Sequence, residues 1–227
     1  STLVVAIIGA FTEWLNLPLG KYDIAQYAFE IERIDLGMAG GKQDQYAATF
    51  GGVNFIEFRE GDRVIVNPLS IKDSTLYEWA MNTVLIFTNQ RRKSAKIIEQ
   101  QVSNVKKKKS GSVEAMHQVK AEAFRVKKAL LQDDLATLGD ALNTSWINKK
   151  KMAEGISNEF IDNIYETAIA AGATGGKISG AGGGGFMFFY CPGNTRYAVE
   201  EALGKLEIGE IYDFEFSKEG LTTWTVK

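Results

Sequence analysis

Two carboxylates near a glycine-rich turn are the first candidates for chemistry in this sequence. Glu32 lies near the end of a helix predicted over 24–35, and Asp44 follows in the segment Gly-Gly-Lys-Gln-Asp-Gln. Taken alone, Asp44 is typical of a turn or N-cap aspartate, and Glu32 of a solvated helix face paired with Arg33. Taken together, they could supply a metal ligand and a base that orients a hydroxyl group. Phosphoryl transfer needs both, because Mg²⁺ neutralises the phosphates and a carboxylate acts at the attacking hydroxyl.

A second candidate is the glycine run KISGAGGGGF at residues 177–186. Gly180, Gly182 and Gly185 satisfy the pattern G-x-G-x-x-G, but a dinucleotide-binding fingerprint opens a helix. Here the segment FMFFY follows, and it is predicted to be a strand. The Walker A pattern G-x-x-x-x-G-K-[ST] does not occur in the sequence. Two interpretations remain, namely a structural glycine-rich hairpin or bulge, and a loop whose backbone amides approach an anion.

The bulk composition excludes several classes of protein. The chain has 227 residues, of which 45% are hydrophobic and 24% charged, as in ordinary globular proteins. The net charge of -2 excludes a globally basic nucleic-acid binder, although residues 91–128 contain 12 basic and 3 acidic residues. The single cysteine, Cys191, excludes an intrachain disulfide, and the single histidine, His117, gives little support to a His-dependent triad or a multi-His metal site. No apolar stretch reaches the roughly 18 residues of a membrane span, so we expect a cytoplasmic protein without nucleic-acid or membrane partners.

The order of predicted elements indicates an α+β protein. A nearly all-apolar helix predicted over 2–15 opens the chain and should lie deep in the fold. Asp23 is the expected N-cap of the next helix. A short, fully apolar strand at 83–87 should lie centrally in a sheet, and Asp133-Asp134 should cap a helix. The predicted strands are 53–58, 63–67, 83–87, the segments on both sides of the glycine run, 213–216 and 222–226.

Three segments together, in this order, resemble a known family. They are STLVV at 1–5, Glu32-Arg33 with GMAGGKQDQYAATFGG at 37–52, and the glycine run. With them the whole chain resembles the GHMP kinases of sugars and small molecules, above all the sugar 1-kinase branch that acts on heptose phosphates. The resemblance implies an α+β, two-domain fold. Residues 1–77 would be the C-terminal portion of a ribosomal-S5-domain-2-like N-terminal domain that binds ATP, and 78–227 a ferredoxin-like C-terminal domain with helical insertions.

The resemblance also implies a role for each matched residue. Glu32 matches the family's magnesium ligand, and Asp44 matches the aspartate proposed as catalytic base. Ser1 and Thr2 match the end of the phosphate-binding loop, which lies at a helix N-terminus where amides and dipole favour phosphate. The earlier part of that loop would precede residue 1. The family's C-terminal glycine motif, which packs beside the triphosphate loop, corresponds to Gly180, Gly182, Gly183 and Gly184.

The substrate is implied by a basic segment at 88–95, which resembles the corresponding stretch of heptose kinases. A sugar that already carries a phosphate needs Arg or Lys donors, so Arg91 and Arg92 are expected to bind it. A solvated helix start is the alternative. With ATP and Mg²⁺ as cofactors, the implied reaction phosphorylates the anomeric C1 hydroxyl of a sugar phosphate, D-glycero-D-manno-heptose 7-phosphate, to the 1,7-bisphosphate. A fucose- or galactose-type 1-kinase and a silent sugar/ATP sensor are alternatives, and a homodimer is left open.

Overall fold

A computed structural model describes residues 1–90 and 94–226, and the chain divides into two compact units. The first unit comprises Ser1–Leu69 together with the tail that begins at Phe216, and the second comprises Ser70–Glu215. The domain division expected between residues 77 and 78 lies a few residues further along than this boundary. The division expected from the sequence also placed the tail in the second domain, whereas in the structure the tail packs within the first unit.

The first unit is built from three helices, a π-helical turn and one antiparallel hairpin. Apolar residues of α1 and α2 form its core around Val5, Ile24 and Ala28. Helix α2 begins at Lys21 after the N-cap Gly20, so the expectation of Asp23 as N-cap is wrong. Asp23 is instead the third residue of the helix, and its carboxylate accepts a hydrogen bond from the Gly20 N–H at 2.8 Å. The elements are α1 (Thr2–Trp14), α2 (Lys21–Glu30), the π-helical turn (Ile31–Asp35), α3 (Gln43–Phe50), β1 (Asn54–Phe58) and β2 (Val64–Pro68).

The tail of the chain forms neither helix nor strand over residues 213–226, so the strands expected at 213–216 and 222–226 are not formed. Its backbone pairs with the end of α3 and the residues that follow it. The Leu221 N–H donates to the Thr49 carbonyl at 3.1 Å, and the Gly52 N–H donates to the Ser217 carbonyl at 2.9 Å. The two residues with these backbone bonds lie between the expected strands, and their partners are a helix end and a turn, not a neighbouring strand.

The second unit contains a four-stranded antiparallel sheet with the order β4-β5-β3-β6. This is the ferredoxin-like β-α-β-β-α-β arrangement with helices inserted after its first strand, as expected. Strand β3 lies inside the sheet, as its all-apolar sequence predicted. The elements are α4 (Asp73–Met81), β3 (Thr83–Phe87), α5 (Ser94–Lys106), α6 (Ser110–Leu131), α7 (Leu135–Lys150), α8 (Glu159–Ala170), β4 (Gly175–Ile178), β5 (Phe186–Tyr190), α9 (Thr195–Gly204) and β6 (Glu210–Tyr212).

The core of the second unit lies on one face of this sheet. Residues of β3 and β5 alternate between buried and less buried positions, and the buried ones, such as Ile86 and Phe189, pack with residues of α7, α8 and α9. Helix α7 is capped as expected, since the Asp134 carboxylate accepts a hydrogen bond from the Thr137 N–H at 3.0 Å. Across the described residues, no helix combines the length and apolar character that crossing a bilayer requires.

Helix α7 and strand β4 approach each other closely through two glycines. A Cβ atom at Gly175 would lie 1.9 Å from the Gly139 carbonyl oxygen and 2.8 Å from the Asn143 backbone nitrogen. Both are backbone atoms, so neither can turn away from an added methyl group. The absence of side chains at this crossing therefore determines the position of β4, the strand that leads into the glycine run.

We expect Gly175→Ala to lower the free energy of unfolding by about 1–3 kcal/mol, because the new methyl group overpacks the crossing. Denaturant unfolding followed by circular dichroism measures this. Gly111→Ala is the control, since Gly111 lies in α6 with nothing within 4 Å of an added Cβ. It should be neutral or stabilise by up to about 1 kcal/mol. Equal stability of the two variants would contradict the close crossing.

Candidate functional site

Glu32 lies in the π-helical turn that ends α2. The Leu36 N–H donates to the Ile31 carbonyl at 3.0 Å, which is the five-residue bond of a π turn, and the Met38 N–H donates to the Glu32 carbonyl at 3.0 Å. π-Helical turns are rare overall, and those that occur often lie at functional sites. Glu32 is only 5% exposed, so the interpretation as a solvated helix face is wrong. A buried carboxylate needs hydrogen-bond donors around it.

Those donors come from residues distant in sequence. The Ser1 hydroxyl donates to Glu32 Oε2 at 2.8 Å, and Nε2 of Gln45 donates to the same oxygen. Burial raises the pKa of Glu32, but the hydrogen bonds from Ser1 and Gln45 lower it, and the pKa lies below its ordinary value. Glu32 is therefore ionised at neutral pH in spite of its burial.

Arg33 organises the turn between Glu32 and α3. Its Nε donates to the Gly41 carbonyl at 3.2 Å, and a Cβ atom at Gly40 would lie 2.4 Å from the guanidinium carbon. Gly40 thus leaves the space in which the guanidinium packs. The ion pair expected between Arg33 and Glu32 is at its outer limit, with 4.0 Å between Nη2 and Oε2. Arg33 acts mainly on the shape of the turn.

Asp44 lies in the first turn of α3 with its side chain exposed. The N-cap of this helix is Lys42, so Asp44 is not the capping residue. Within the described part of the chain its carboxylate has no hydrogen bond and no ion pair. Asp44 directly precedes Gln45, the residue whose amide binds Glu32. Gln45 thus connects the helix that carries Asp44 to Glu32. The Asp44 carboxylate itself is available to a ligand.

The donor set around Glu32 fits a hard divalent cation. Mg²⁺ prefers oxygen ligands, keeps several waters, and is usually bound through one or two carboxylates together with substrate phosphates. The Glu32 carboxylate and the Ser1 hydroxyl are adjacent, and Oε1 of Gln45 is buried without a partner in the described chain. Residues 1–90 and 94–226 contain no group of three or more His, Cys, Asp or Glu side chains placed to hold a metal. Mg²⁺ bound at Glu32 would therefore take its remaining ligands from phosphate and water.

The glycine run forms the hairpin loop between β4 and β5, which confirms the hairpin interpretation. The Ser179 N–H donates to the Phe186 carbonyl at 2.8 Å and closes the hairpin. The Lys149 ammonium, from the end of α7, donates to the Gly180 carbonyl. Positive φ angles, which favour glycine, occur at Gly180, Gly182, Gly183, Gly184 and Gly185.

Close packing explains several of these glycines. A Cβ atom at Gly182 would lie 2.8 Å from the Ile156 carbonyl oxygen, and one at Gly184 would lie 2.9 Å from the Gln90 carbonyl oxygen. The Gly183 N–H donates to the Ile156 carbonyl at 2.9 Å, and the Gly185 N–H donates to Thr88 Oγ1 at 2.9 Å.

The remaining loop amides are not used in this way. Those of Gly180, Gly182 and Gly184 donate no hydrogen bond to the residues that the structure describes. The hairpin interpretation therefore leaves the anion-binding interpretation open, but only for these three amides among the predicted glycines.

The other predicted site residues lie at α1 or outside the described residues. Ser1 is the N-cap of α1, and its carbonyl accepts a hydrogen bond from the Val5 N–H at 3.0 Å. Thr2 is the first helical residue and is exposed. Arg91 and Arg92 lie outside the described residues, so their expected contact with a sugar phosphate stays a prediction from the sequence.

In a comparison with known proteins, two family models match separate parts of the chain. A family model described as the GHMP kinases N terminal domain matches residues 1–52, and one described as GHMP kinases C terminal matches residues 126–208. A Campylobacter jejuni protein, D-glycero-alpha-D-manno-heptose 7-phosphate kinase, is 51% identical over 226 residues, which cover 100% of this chain and 66% of the relative. The chain belongs to the GHMP kinase family.

Solved structures agree with this GHMP kinase assignment. A D-glycero-D-manno-heptose 1-phosphate kinase from Bacteroides thetaiotaomicron superimposes with a TM-score of 0.77 at 39% identity, over 100% of this chain and 62% of that one. L. major mevalonate kinase superimposes with a TM-score of 0.72 at 20% identity, over 96% of this chain and 65% of that one, and so shares the fold. The expected fold class is confirmed. The chain spans a little under two thirds of each of the three relatives.

The sequence gives little indication of the roles of three residues that support these sites in this GHMP kinase, namely Gln45, Thr88 and Ile156. An amide directly after an acidic residue in a glycine-rich turn is a weak hint for Gln45. Thr88 follows an apolar strand, as many threonines do, and Ile156 contributes its backbone carbonyl, which is the same in every residue type. Their roles arise from contacts across 13, 97 and 27 positions of sequence.

We expect Thr88→Val to lower the free energy of unfolding by about 1–3 kcal/mol, because it leaves the buried Gly185 N–H without an acceptor. Urea unfolding of the intact protein measures the loss. Thr83→Val is the control, since Thr83 is equally buried but its hydroxyl donates to the Trp79 carbonyl. That variant leaves no N–H unpaired and should cost less. Equal losses in both variants would show that Thr88 does not hold the loop.

Proposed function

We propose that this GHMP kinase transfers the γ-phosphoryl group of ATP to the C1 hydroxyl of D-glycero-D-manno-heptose 7-phosphate, giving ADP and the 1,7-bisphosphate. The observation that carries the proposal is the identity, across the whole chain, to the Campylobacter heptose 7-phosphate kinase. The name of the Bacteroides structure likewise contains a heptose phosphate. ATP and a sugar phosphate as substrates favour the cytoplasm as the location.

Asp44 is the proposed base in this reaction. The oxygen of the C1 hydroxyl forms a bond to the γ-phosphorus while the bond from that phosphorus to the bridging oxygen of ADP breaks. The hydroxyl proton passes to the Asp44 carboxylate, which orients the hydroxyl as it attacks. An exposed carboxylate without a partner in the described chain suits this role, because no ion pair has to be broken first.

Glu32 and Ser1 are the proposed holders of the magnesium ion. Mg²⁺ bound there would neutralise charge on the phosphates. The hydrogen bonds from Ser1 and Gln45 keep the Glu32 carboxylate ionised and oriented before any ligand arrives. The N-terminus of α1, with Ser1 and Thr2, is proposed to bind phosphate through its amides and helix dipole.

The glycine loop is proposed to approach the nucleotide phosphates through the amides of Gly180, Gly182 and Gly184. Gly183, which the family resemblance grouped with them, has its amide on the Ile156 carbonyl. Its proposed role is therefore to hold the shape of the loop. Rigidly placed amides stabilise charge without reorganising during the reaction, which is why a packed loop suits this task.

We expect Asp44→Asn to lower kcat by about 10²- to 10⁴-fold with little change in KM for ATP, because the amide cannot accept the hydroxyl proton. Coupled measurement of ADP release from the intact protein gives both constants. Asp35→Asn, which removes an exposed carboxylate from the π-helical turn, is the control and should turn over normally. Near-normal kcat in Asp44→Asn would exclude Asp44 as the base.

We expect heptose 7-phosphate to be turned over far better than fucose or galactose. We also expect Arg92→Ala to raise KM for the phosphorylated sugar by about tenfold. Losing a charge-assisted hydrogen bond to phosphate accounts for a change of this size. Lys107→Ala removes an exposed charge elsewhere in the basic region 91–128 and should leave KM unchanged. A preference for an unphosphorylated sugar would overturn the proposed substrate, and full ATP binding without ADP release would favour a sensor.

A further inference from the structure

Gln45 is a fully buried amide in the first turn of α3, and its orientation follows from what it touches. The side chain is 0% exposed, and its Nε2 donates to Glu32 Oε2. An ionised carboxylate can only accept hydrogen bonds, so the nitrogen end of the amide has to face Glu32. The oxygen end, Oε1, then has to point away from the carboxylate.

Gln45 lies on a side of α3 that is packed inside the unit. The Thr49 hydroxyl, one turn further along the helix, donates to the backbone carbonyl of Gln45 at 2.8 Å. Thr49 is itself buried, so this side of the helix is closed to solvent. The amide therefore links α3, which carries Asp44, to the π-helical turn that carries Glu32.

The oxygen of this amide is the unusual feature. Oε1 of Gln45 is buried and accepts no hydrogen bond from any residue that the structure describes. Buried acceptors without a partner are few in native proteins, and each calls for an explanation. The same amide binds Glu32 through its other end, so the described residues account for only one half of this buried side chain. That half is the contact with the carboxylate that the proposed function assigns to magnesium.

We propose that Gln45 is the positioning residue of the magnesium site: its Nε2 holds and orients the Glu32 carboxylate that would bind the cation. The inference rests on the proposed function. Groups that hydrogen-bond to a metal ligand orient it, and their loss typically costs 10- to 100-fold in metal affinity. Gln45 thus sets the metal ligand from the same helix that carries the proposed base.

The test is the Mg²⁺ dependence of nucleotide binding in the intact protein, with a non-hydrolysable ATP analogue and no sugar. Gln45→Met has a similar length but neither the donor nor the acceptor. We expect the Mg²⁺ concentration for half-maximal binding of the analogue to rise about tenfold or more, as measured by calorimetry. Thermal melting without Mg²⁺ checks that the variant is folded. Gln45→Asn, in which the amide is too short to reach Glu32, is the second variant and should shift the midpoint in the same direction.

Two controls separate positioning from a general structural effect. Gln26→Met breaks a similar glutamine–glutamate pair in the same unit, in which Gln26 Nε2 donates to Glu30 Oε1 at 2.8 Å. Its Mg²⁺ midpoint should equal that of the wild type. In a Glu32→Gln background, Gln45→Met should add little further shift, because Gln45 acts through Glu32.

The outcomes distinguish this inference from the proposed function. An unshifted Mg²⁺ midpoint in the folded Gln45 variants overturns the positioning role, as does a rise in KM for the sugar alone. An equal shift in Gln26→Met, or a full further shift in the Glu32→Gln background, overturns it too. Analogue binding by the wild type that does not depend on Mg²⁺ would instead remove the metal role of Glu32 from the proposed function.

Discussion

A buried carboxylate has to keep its charge without water, and much of the first unit serves this requirement at Glu32. Burial alone would raise its pKa and neutralise it. The π-helical turn directs the side chain inward, and donors from Ser1 and Gln45 compensate for the lost hydration. Arg33 and Gly40 shape the following turn, which leads into the helix of Asp44. The charge of one residue therefore depends on residues at the start of the chain and in α3.

In the second unit, the backbone amides of the glycine run are divided between two states. Some are used to hold the loop in place, and the others donate no hydrogen bond to the described residues. Gly183 and Gly185 give theirs to Ile156 and Thr88, and these bonds hold the hairpin. Glycine is required where the chain touches the Ile156 and Gln90 backbones, so the composition of the run reflects close packing.

Local patterns predicted the elements that depend on local physics. The central strand β3 and the Asp134 cap of α7 formed as expected, because periodicity and capping act within a few residues. Helix α1 also formed, but the expectation that it lies deep in the fold is wrong: within it only Val5 and Gly9 are buried. The tail after Phe216 did not form strands. Its alternating pattern was compatible with a strand, but its hydrogen-bond partners lie near Thr49 and Gly52, more than 160 positions earlier in the sequence. No local rule contains that information.

The sequence by itself determined the residue types, their spacing and the fold class, since Glu32, Asp44 and the glycine run can be recognised as patterns. Only the tertiary structure decided that Glu32 is buried rather than solvated, that Gln45 holds it, and which loop amides are occupied. The physical reason is that burial and hydrogen bonding depend on contacts between residues far apart in the chain. Gln45 is hydrogen-bonded to Glu32 across 13 positions of sequence, and Thr88 to Gly185 across 97. Sequence patterns do not predict contacts over such separations.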